Sequence, residues 1–340
     1  AEKEKFVQME IITAHRESFD YRAAKLYQEL LKFRMSRLNS PAEGEDSATS
    51  LMLADLERLH FVYLKTNDPS KESDYLAALE KLSAISDKSA GLASHKIAEY
   101  YMNQGRNFNP NFPEKWKWAN RTADQICDKV IASYPNSYGA QNCSSLKEQL
   151  RVKELSVSME GSVVSEKPFP AEIRYRNMEK VYWRIYKTSE KDITSVREEY
   201  EANNKKSIYK DYNRMLIDYF RKKKADYELT DSLPNDGDRH IHKTETKLPS
   251  LPTGEYLVIA CSSPDANYEK NAVYASQVKS TRLSYIHRDG KDYKEFYILD
   301  RETGEPLEGV KASLVYWDYS SLRGKYVQEK GDSYKSDKNG

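Results

Sequence analysis

The sequence predicts a multidomain chain in which an all-α, helical-repeat-like region precedes antiparallel β-sandwich domains, the first carrying a helical insertion. Three observations lead there. Apolar residues recur every three or four positions through the first 150 residues, the spacing of one helix face. From Glu154 the apolar spacing drops to two, the mark of a strand. Between Ile193 and Tyr227 the helical spacing returns, and that stretch holds no Gly or Pro. At 340 residues there is room for two or three domains. They are placed at 1–153, at 154–268 with the insertion at 193–227, and at 269–340.

The helices follow in order. Leu26, Leu30 and Phe33 mark the first; Met52, Leu56 and Leu59 the next; Leu76, Leu79 and Leu82 a third. Ala93, Ile97 and Tyr100 give a fourth stripe, and Ala119, Ala123, Ile126, Val130 and Tyr134 a fifth. Cys127 shares that last face and reads as a small buried hydrophobe rather than a nucleophile. The polar stretches NSPAEGEDSATS at 39–50 and NFNPNFP at 107–113 read as loops. The last two segments, GLASHKIAEYYMNQGR and WANRTADQICDKVIASYPNSYGA, resemble a tetratricopeptide helix pair. Small and aromatic residues fall where two antiparallel helices would touch, and Pro135 cannot continue the helix. The resemblance implies a degenerate helical-repeat region.

The strands come next. Leu155, Val157 and Met159 alternate with serines, Ile173 and Tyr175 repeat the spacing, and Val181, Trp183 and Ile185 share one face. In the insertion Ile208, Tyr212, Met215 and Tyr219 form a helical stripe that ends in the basic run 221–224. Cations are favoured at a helix C-terminus, so this run reads as a solvated helix end. SLPNDGD at 232–238 is a turn, and strand pattern resumes near His240. Pro249 and Pro252 mark a strand entry, and Tyr256–Cys261 is a continuous apolar run fit for a core strand. SPDANYEK at 263–270 reads as a linker, so a last unit is expected to open with strands at 272–278 and 282–286 and a hairpin at 288–291.

Composition limits the function classes. Lys plus Arg number 54 against 53 Asp plus Glu, which argues against a nucleic-acid binder. No stretch approaches the roughly 18 apolar residues of a membrane span. The start of the chain shows no signal-peptide pattern and reads as an edge or a mature start. Cys127, Cys143 and Cys261 give neither a disulfide framework nor zinc spacing. The 26 tyrosines suit strand faces and contact surfaces.

Chemistry-bearing motifs are sparse. On a strand, His240 and His242 would point to one side and could ligate a metal with Asp236 or Asp238; the alternative is a solvent-facing pair near a loop. There is no nucleophile elbow, H-E-x-x-H, P-loop or G-x-G-x-x-G. His15, His60, His95 and His287 have no Ser or Cys partner by local motif. Trp116 and Trp118 flank Lys117 and are expected to pack in the helix-pair core, the alternative being a partner anchor. The expectation is therefore a non-enzymatic chain with no catalytic residue, no cofactor and no metal.

The stretch YILDRETGEPLEGVKASLVYWD at 297–318 carries the strongest pattern. Asp300 ends one strand, Gly304 tolerates positive φ, Pro306 fixes φ, and Gly309 permits the next reversal. Val310, Ala312, Leu314 and Tyr316 then alternate. With SYKSDKNG at 333–340, this resembles the strand–turn–strand of macroglobulin-type β-sandwich domains, in which D-x-x-T-G-x-P-L-x-G-V/A precedes a T-D-x-x-G hairpin. LPTGEYLVIACSS at 251–263 resembles the closing strand of a preceding domain of that type. The layout is similar to the amino-terminal part of bacterial, Bacteroides-type alpha-2-macroglobulin family proteins. The resemblance implies a segment of an extracytoplasmic, periplasmic or envelope protein whose full length traps proteases, with protein partners and possible membrane anchoring of the parent. It implies a bait region beyond residue 340 and, in many members, a C-x-E-Q thioester that none of the three cysteines matches. It also implies that the last domain is truncated and exposes a strand edge or apolar face. A carboxypeptidase-regulatory-like or adhesin-type binding module uses a similar stretch, and a metal-dependent hydrolase built on His240 and His242 is a third reading.

Overall fold

A computed structural model describes residues 2–38, 46–112, 115–205, 211–291, 293–320 and 325–340. They form two compact units: Ala1–Val152 with Asn235–His240, and Lys153–Pro234 with Ile241–Gly340.

The first unit is helical. Its elements are α1 (Lys3–Gln8), α2 (Phe19–Leu38), α3 (Ser47–Lys65), α4 (Lys71–Ser83), α5 (Ala90–Gly105), α6 (Ala119–Ser133) and α7 (Tyr138–Arg151). The short helix α1 was not expected from sequence. On α2 the buried side differs from the expected one, because Leu26 and Phe33 are exposed while Leu31 and Gln28 are buried. Gln28 goes inward because its amide donates to the Phe6 carbonyl at 2.8 Å and to the Met9 carbonyl at 2.7 Å. Both carbonyls lie at the C-terminal end of α1, where the last carbonyls of a helix take partners from outside it; Phe6 also accepts from the Met9 amide at 3.2 Å. The loop expected at 39–50 ends earlier. Residues 39–45 lie outside the described set, and α3 begins at Ser47, where Asp46 accepts a bond from the Thr49 amide at 3.1 Å. Pro113 of the other expected loop also lies outside the described residues.

Helices α5, α6 and α7 pack on one another, and two apolar clusters share the α5 face. One holds Leu56, Leu79 and Ala93; the other holds Ala98, Ala123, Cys127, Cys143 and Leu146. The turn between α6 and α7 uses Asn136 at φ 64°, and Ser137 caps α7 by accepting from the Ala140 amide at 3.1 Å.

The second unit is built on two antiparallel layers. Strands β1 (Glu154–Ser158), β2 (Ser162–Val163), β3 (Phe169–Arg176) and β4 (Lys180–Lys187) precede the insertion, which holds α8 (Glu190–Lys205) and α9 (Tyr212–Phe220). The insertion thus begins three residues earlier than expected and is two helices; Ile208, part of the expected stripe, lies outside the described residues. Strands β5 (Tyr227–Ser232), β6 (His242–Leu248), β7 (Gly254–Cys261) and β8 (Val273–Ser280) follow. One sheet has the order β1-β3-β6, the other β2-β8-β7-β4-β5, with β2 and β8 parallel and the remaining pairs antiparallel. A shared core joins them: Ile173 and Tyr175 from one sheet meet Val181, Trp183, Ile185 and Val258 from the other.

The apolar run of β7 is explained by burial on both faces. Tyr256, Val258 and Ala260 face the inter-sheet core, while Leu257, Ile259 and Cys261 meet Leu216, Ile217 and Phe220 of α9. Burying Leu257, Val258 or Ile259 stabilises by about 1.5–3 kcal/mol each. The basic run after α9 is partly paired, Arg221 with Asp218 at 2.9 Å and Lys223 with Asp192 of α8.

Strand β8 corrects the expected start of the last unit. It is hydrogen-bonded to β7 from Gly254↔Ser280 to Cys261↔Val273, so it completes the preceding sheet rather than opening a new one. The remaining strands are β9 (Leu283–Asp289), β10 (Lys294–Asp300), β11 (Lys311–Ser320) and β12 (Lys325–Lys335), paired as two antiparallel hairpins. Among the described residues no helix is long and apolar enough to cross a membrane.

Candidate functional site

Of the candidate ligands that the sequence places at 236–242, Asp236, Asp238 and His240 belong to the helical unit and His242 to the other. Arg239 sits at φ 66°, a left-handed conformation, and β6 begins only at His242. The strand on which His240 and His242 would share a side is therefore absent, and the two belong to different units. His240 is buried, with its ring stacked on Phe108 at 4.3 Å between centroids. Its Nδ1 lies 3.3 Å from the Asn120 amide nitrogen and its Nε2 lies 3.2 Å from the Trp116 carbonyl oxygen. That arrangement sets the tautomer: Asn120 donates to Nδ1, and the proton on Nε2 is donated to the carbonyl. Both ring nitrogens are thus occupied in holding the segment. His242 stacks on Tyr175 of β3.

Charged contacts complete this segment within the helical unit. Lys117 pairs with Asp236 at 2.7 Å, and Arg239 with Asp124 at 3.2 Å. Asp124 also receives Arg151 through Nε at 2.8 Å and a second guanidinium nitrogen at 3.0 Å. Asp124 is buried on α6, and a buried carboxylate requires such partners. Sequence reading missed it, although a carboxylate one position past Ala123 on an apolar stripe was a usable signal. Of the two tryptophans, Trp116 is half-buried, whereas Trp118 is exposed, with Lys117 and Arg121 over its ring, instead of packing in the core.

The remaining candidates are dispersed. His95 is buried on α5; burial lowers its pKa against the opposing pull of Glu99. His60 lies among Tyr63 and Tyr75, and His287 is exposed beside Asp289. Cys261 is buried on β7, and burial pushes its thiol up. Cys127 and Cys143, which sequence reading kept apart, lie together between α6 and α7.

The turn at 298–309 is closed by side-chain and backbone bonds. The Asp300 carboxylate accepts from the Glu302 amide at 2.9 Å and the Thr303 amide at 3.0 Å, and it pairs with Arg282 at 3.1 Å. The Gly304 amide returns to the Asp300 carbonyl at 2.8 Å, and the Leu307 amide to the Ile298 carbonyl at 2.9 Å. Gly304 and Gly309 take φ of 71° and 79°, which a side chain would strain. The 336–340 stretch closes on the same place, since the Ile298 amide donates to the Gly340 carbonyl at 2.7 Å. Around this turn Tyr285, Ile286 and Phe296 on the first hairpin, and Leu314, Tyr316 and Tyr334 on the second, are exposed.

Asp300 gives a pH prediction. The bonds from the Thr303 and Glu302 amides, and then Arg282, hold its pKa below the usual aspartate value. Because the folded value is depressed, its stabilising effect is present above the unfolded pKa of about 3.9 and is lost as pH falls through the folded pKa. Amide shifts of Glu302 and Thr303 should titrate together with a midpoint below that of a free aspartate, and Asp300→Asn should remove the transition. A midpoint at or above the free value would contradict the assignment.

No family model and no curated protein matches the sequence. Solved structures do. The crystal structure of native alpha-2-macroglobulin from Escherichia coli spanning domains MG0-NIE-MG1 is 14% identical with a TM-score of 0.31, over 55% of this chain and 59% of that one. The Escherichia coli alpha-2-macroglobulin fragment spanning domains NIE-MG1 is 16% identical with a TM-score of 0.30, over 55% of this chain and 89% of that one. The present chain thus spans about three fifths of the first of these.

Proposed function

We propose that this chain is a non-enzymatic structural and interaction segment of a macroglobulin-like, extracytoplasmic protein whose full length traps proteases. The observation that supports this most is the 298–309 turn. The D-x-x-T-G-x-P-L-x-G-V pattern that resembles macroglobulin-type domains is here an aspartate-capped reversal, closed by the 336–340 stretch. A turn of this construction is scaffold, and it fixes the two exposed aromatic hairpins that it joins. Contact surfaces rich in Tyr and Phe suit protein partners. The complete β unit before the motif favours this reading over a carboxypeptidase-regulatory-like or adhesin-type module.

The test uses the full-length protein mixed with trypsin or elastase. Trapping shields the protease from a large protein substrate while a small chromogenic peptide is still hydrolysed. Equal loss of both activities, or loss of neither, overturns the trapping reading. A metal-dependent activity abolished by replacing His240 and His242 would overturn the non-enzymatic one.

A further inference from the structure

We propose that Cys127 and Cys143 are the two halves of an intramolecular disulfide that staples α6 to α7. The pair is level on a helical hairpin. Cys127 lies six residues before the end of α6 at Ser133, and Cys143 lies five residues after the start of α7 at Tyr138. Both are fully buried in one apolar cluster, between Ala123 and Val130 on one helix and Ala140 and Leu146 on the other. Ala123 and Ala140 are small residues at this contact, as the short reach of a disulfide requires.

The two thiols interact directly. Their mutual hydrogen bond drives them apart in acidity, pushing Cys127 up and Cys143 down. No other cysteine competes in this unit, because Cys261 belongs to the second unit and lies in a separate apolar cluster.

The oxidant is a small-molecule disulfide or a thiol–disulfide oxidoreductase. One of the two cysteines, as the thiolate, attacks one sulfur of the oxidant and releases one thiol. The other cysteine then loses its proton and attacks the mixed disulfide at the first cysteine's sulfur, releasing the second thiol. The protein loses two hydrogens, the oxidant becomes two thiols, and one S–S bond is formed. Because both sulfurs are buried, oxidation accompanies folding or local opening, and the finished bond is shielded from reductant. The inference does not depend on the macroglobulin reading; it requires only an oxidising compartment.

The bond encloses a loop of 15 residues. Constraining a loop of that length shifts the opening equilibrium of the hairpin by roughly a hundredfold. The experiment refolds the chain with oxidised and reduced glutathione, blocks free thiols under denaturing conditions and maps peptides without reductant. A product 2 Da lighter than the reduced chain, with the 127 and 143 peptides joined and Cys261 alkylated, is the expected result. Amide exchange in α6 and α7 should then be slower by roughly a hundredfold than in the reduced protein, and this difference should vanish in Cys127→Ser. Three alkylated cysteines, glutathione adducts at 127 or 143, or a cross-link through Cys261 would each overturn the proposal. The comparison of oxidised and reduced wild-type chain decides it even where a variant folds poorly.

Discussion

Trp183→Ala should cost the β unit about 3–5 kcal/mol, enough to remove a large share of the ~5–15 kcal/mol that holds a domain folded. Trp183 is 1% exposed and sits opposite Leu229 of the edge strand β5 and Ala260 of β7, in the five-stranded sheet. Its ring fills the core shared by the two sheets. Its Nε1 also donates to the Asp231 carboxylate at 2.9 Å, which accepts a second bond from the Thr246 hydroxyl at 2.7 Å. Alanine would therefore leave both a cavity and a carboxylate with one partner fewer. Trp183→Phe separates the two: it keeps most of the bulk and gives up the N–H, for an expected loss of about 1–3 kcal/mol. Urea unfolding followed by amide exchange in β4, β5 and β7 reads both, with the helical unit as internal reference. A cost for the alanine variant below that of the phenylalanine variant would mean that the site collapses and that the core is not organised around this ring.

Much of the architecture was legible because periodicity reports burial. The faces of β4 are a clear case, with Val181, Trp183 and Ile185 inside as their spacing requires. Periodicity misled where a polar side chain was buried for a local reason, as with Gln28 on α2. It also misled where a loop imitates a linker. SPDANYEK at 263–270 is polar and turn-rich, yet it lies within the connection between β7 and β8. Asn271 donates to Asp265 at 3.0 Å there, and the Ala272 amide donates to the Ser262 hydroxyl at 3.2 Å. A local sequence window cannot see that the strands on both sides pair with each other.

The candidate sites were less legible, for a different reason. The H-x-H reading assumed a strand running through His240, and β6 begins only at His242. The cysteine reading considered spacing for metal or framework patterns. The level placement of Cys127 and Cys143 about the 134–137 turn becomes meaningful only once both flanking segments are helices. In both places the side chains singled out for chemistry are engaged in joining elements: His240 pins its segment through Asn120 and the Trp116 carbonyl, and the cysteines fill a helix contact.

Gly139→Ala gives the sharpest test of how the helical unit is assembled, because local and tertiary physics predict opposite signs. Within a helix, alanine is favoured over glycine by roughly 0.5–1 kcal/mol. At residue 139, however, an added Cβ would lie 2.4 Å from the Gly91 carbonyl carbon and 2.7 Å from its oxygen. Those are backbone atoms of α5, and they cannot rotate away as a side chain would. Helices α5 and α7 approach here because both carry glycine, and Val130 of α6 would already stand 3.2 Å from a Cβ added at Gly91. The substitution should therefore destabilise the helical unit by about 1–3 kcal/mol, the usual cost of overpacking. Gly161→Ala is the matched control: nothing lies within 4 Å of its added Cβ, and the change should be neutral or stabilising by up to about 1 kcal/mol. Denaturant unfolding of the two variants decides the matter. If Gly139→Ala is as stable as the parent or more so, the helices do not make backbone contact at Gly91, and the small residues of α5 and α7 are matters of helix composition rather than of packing.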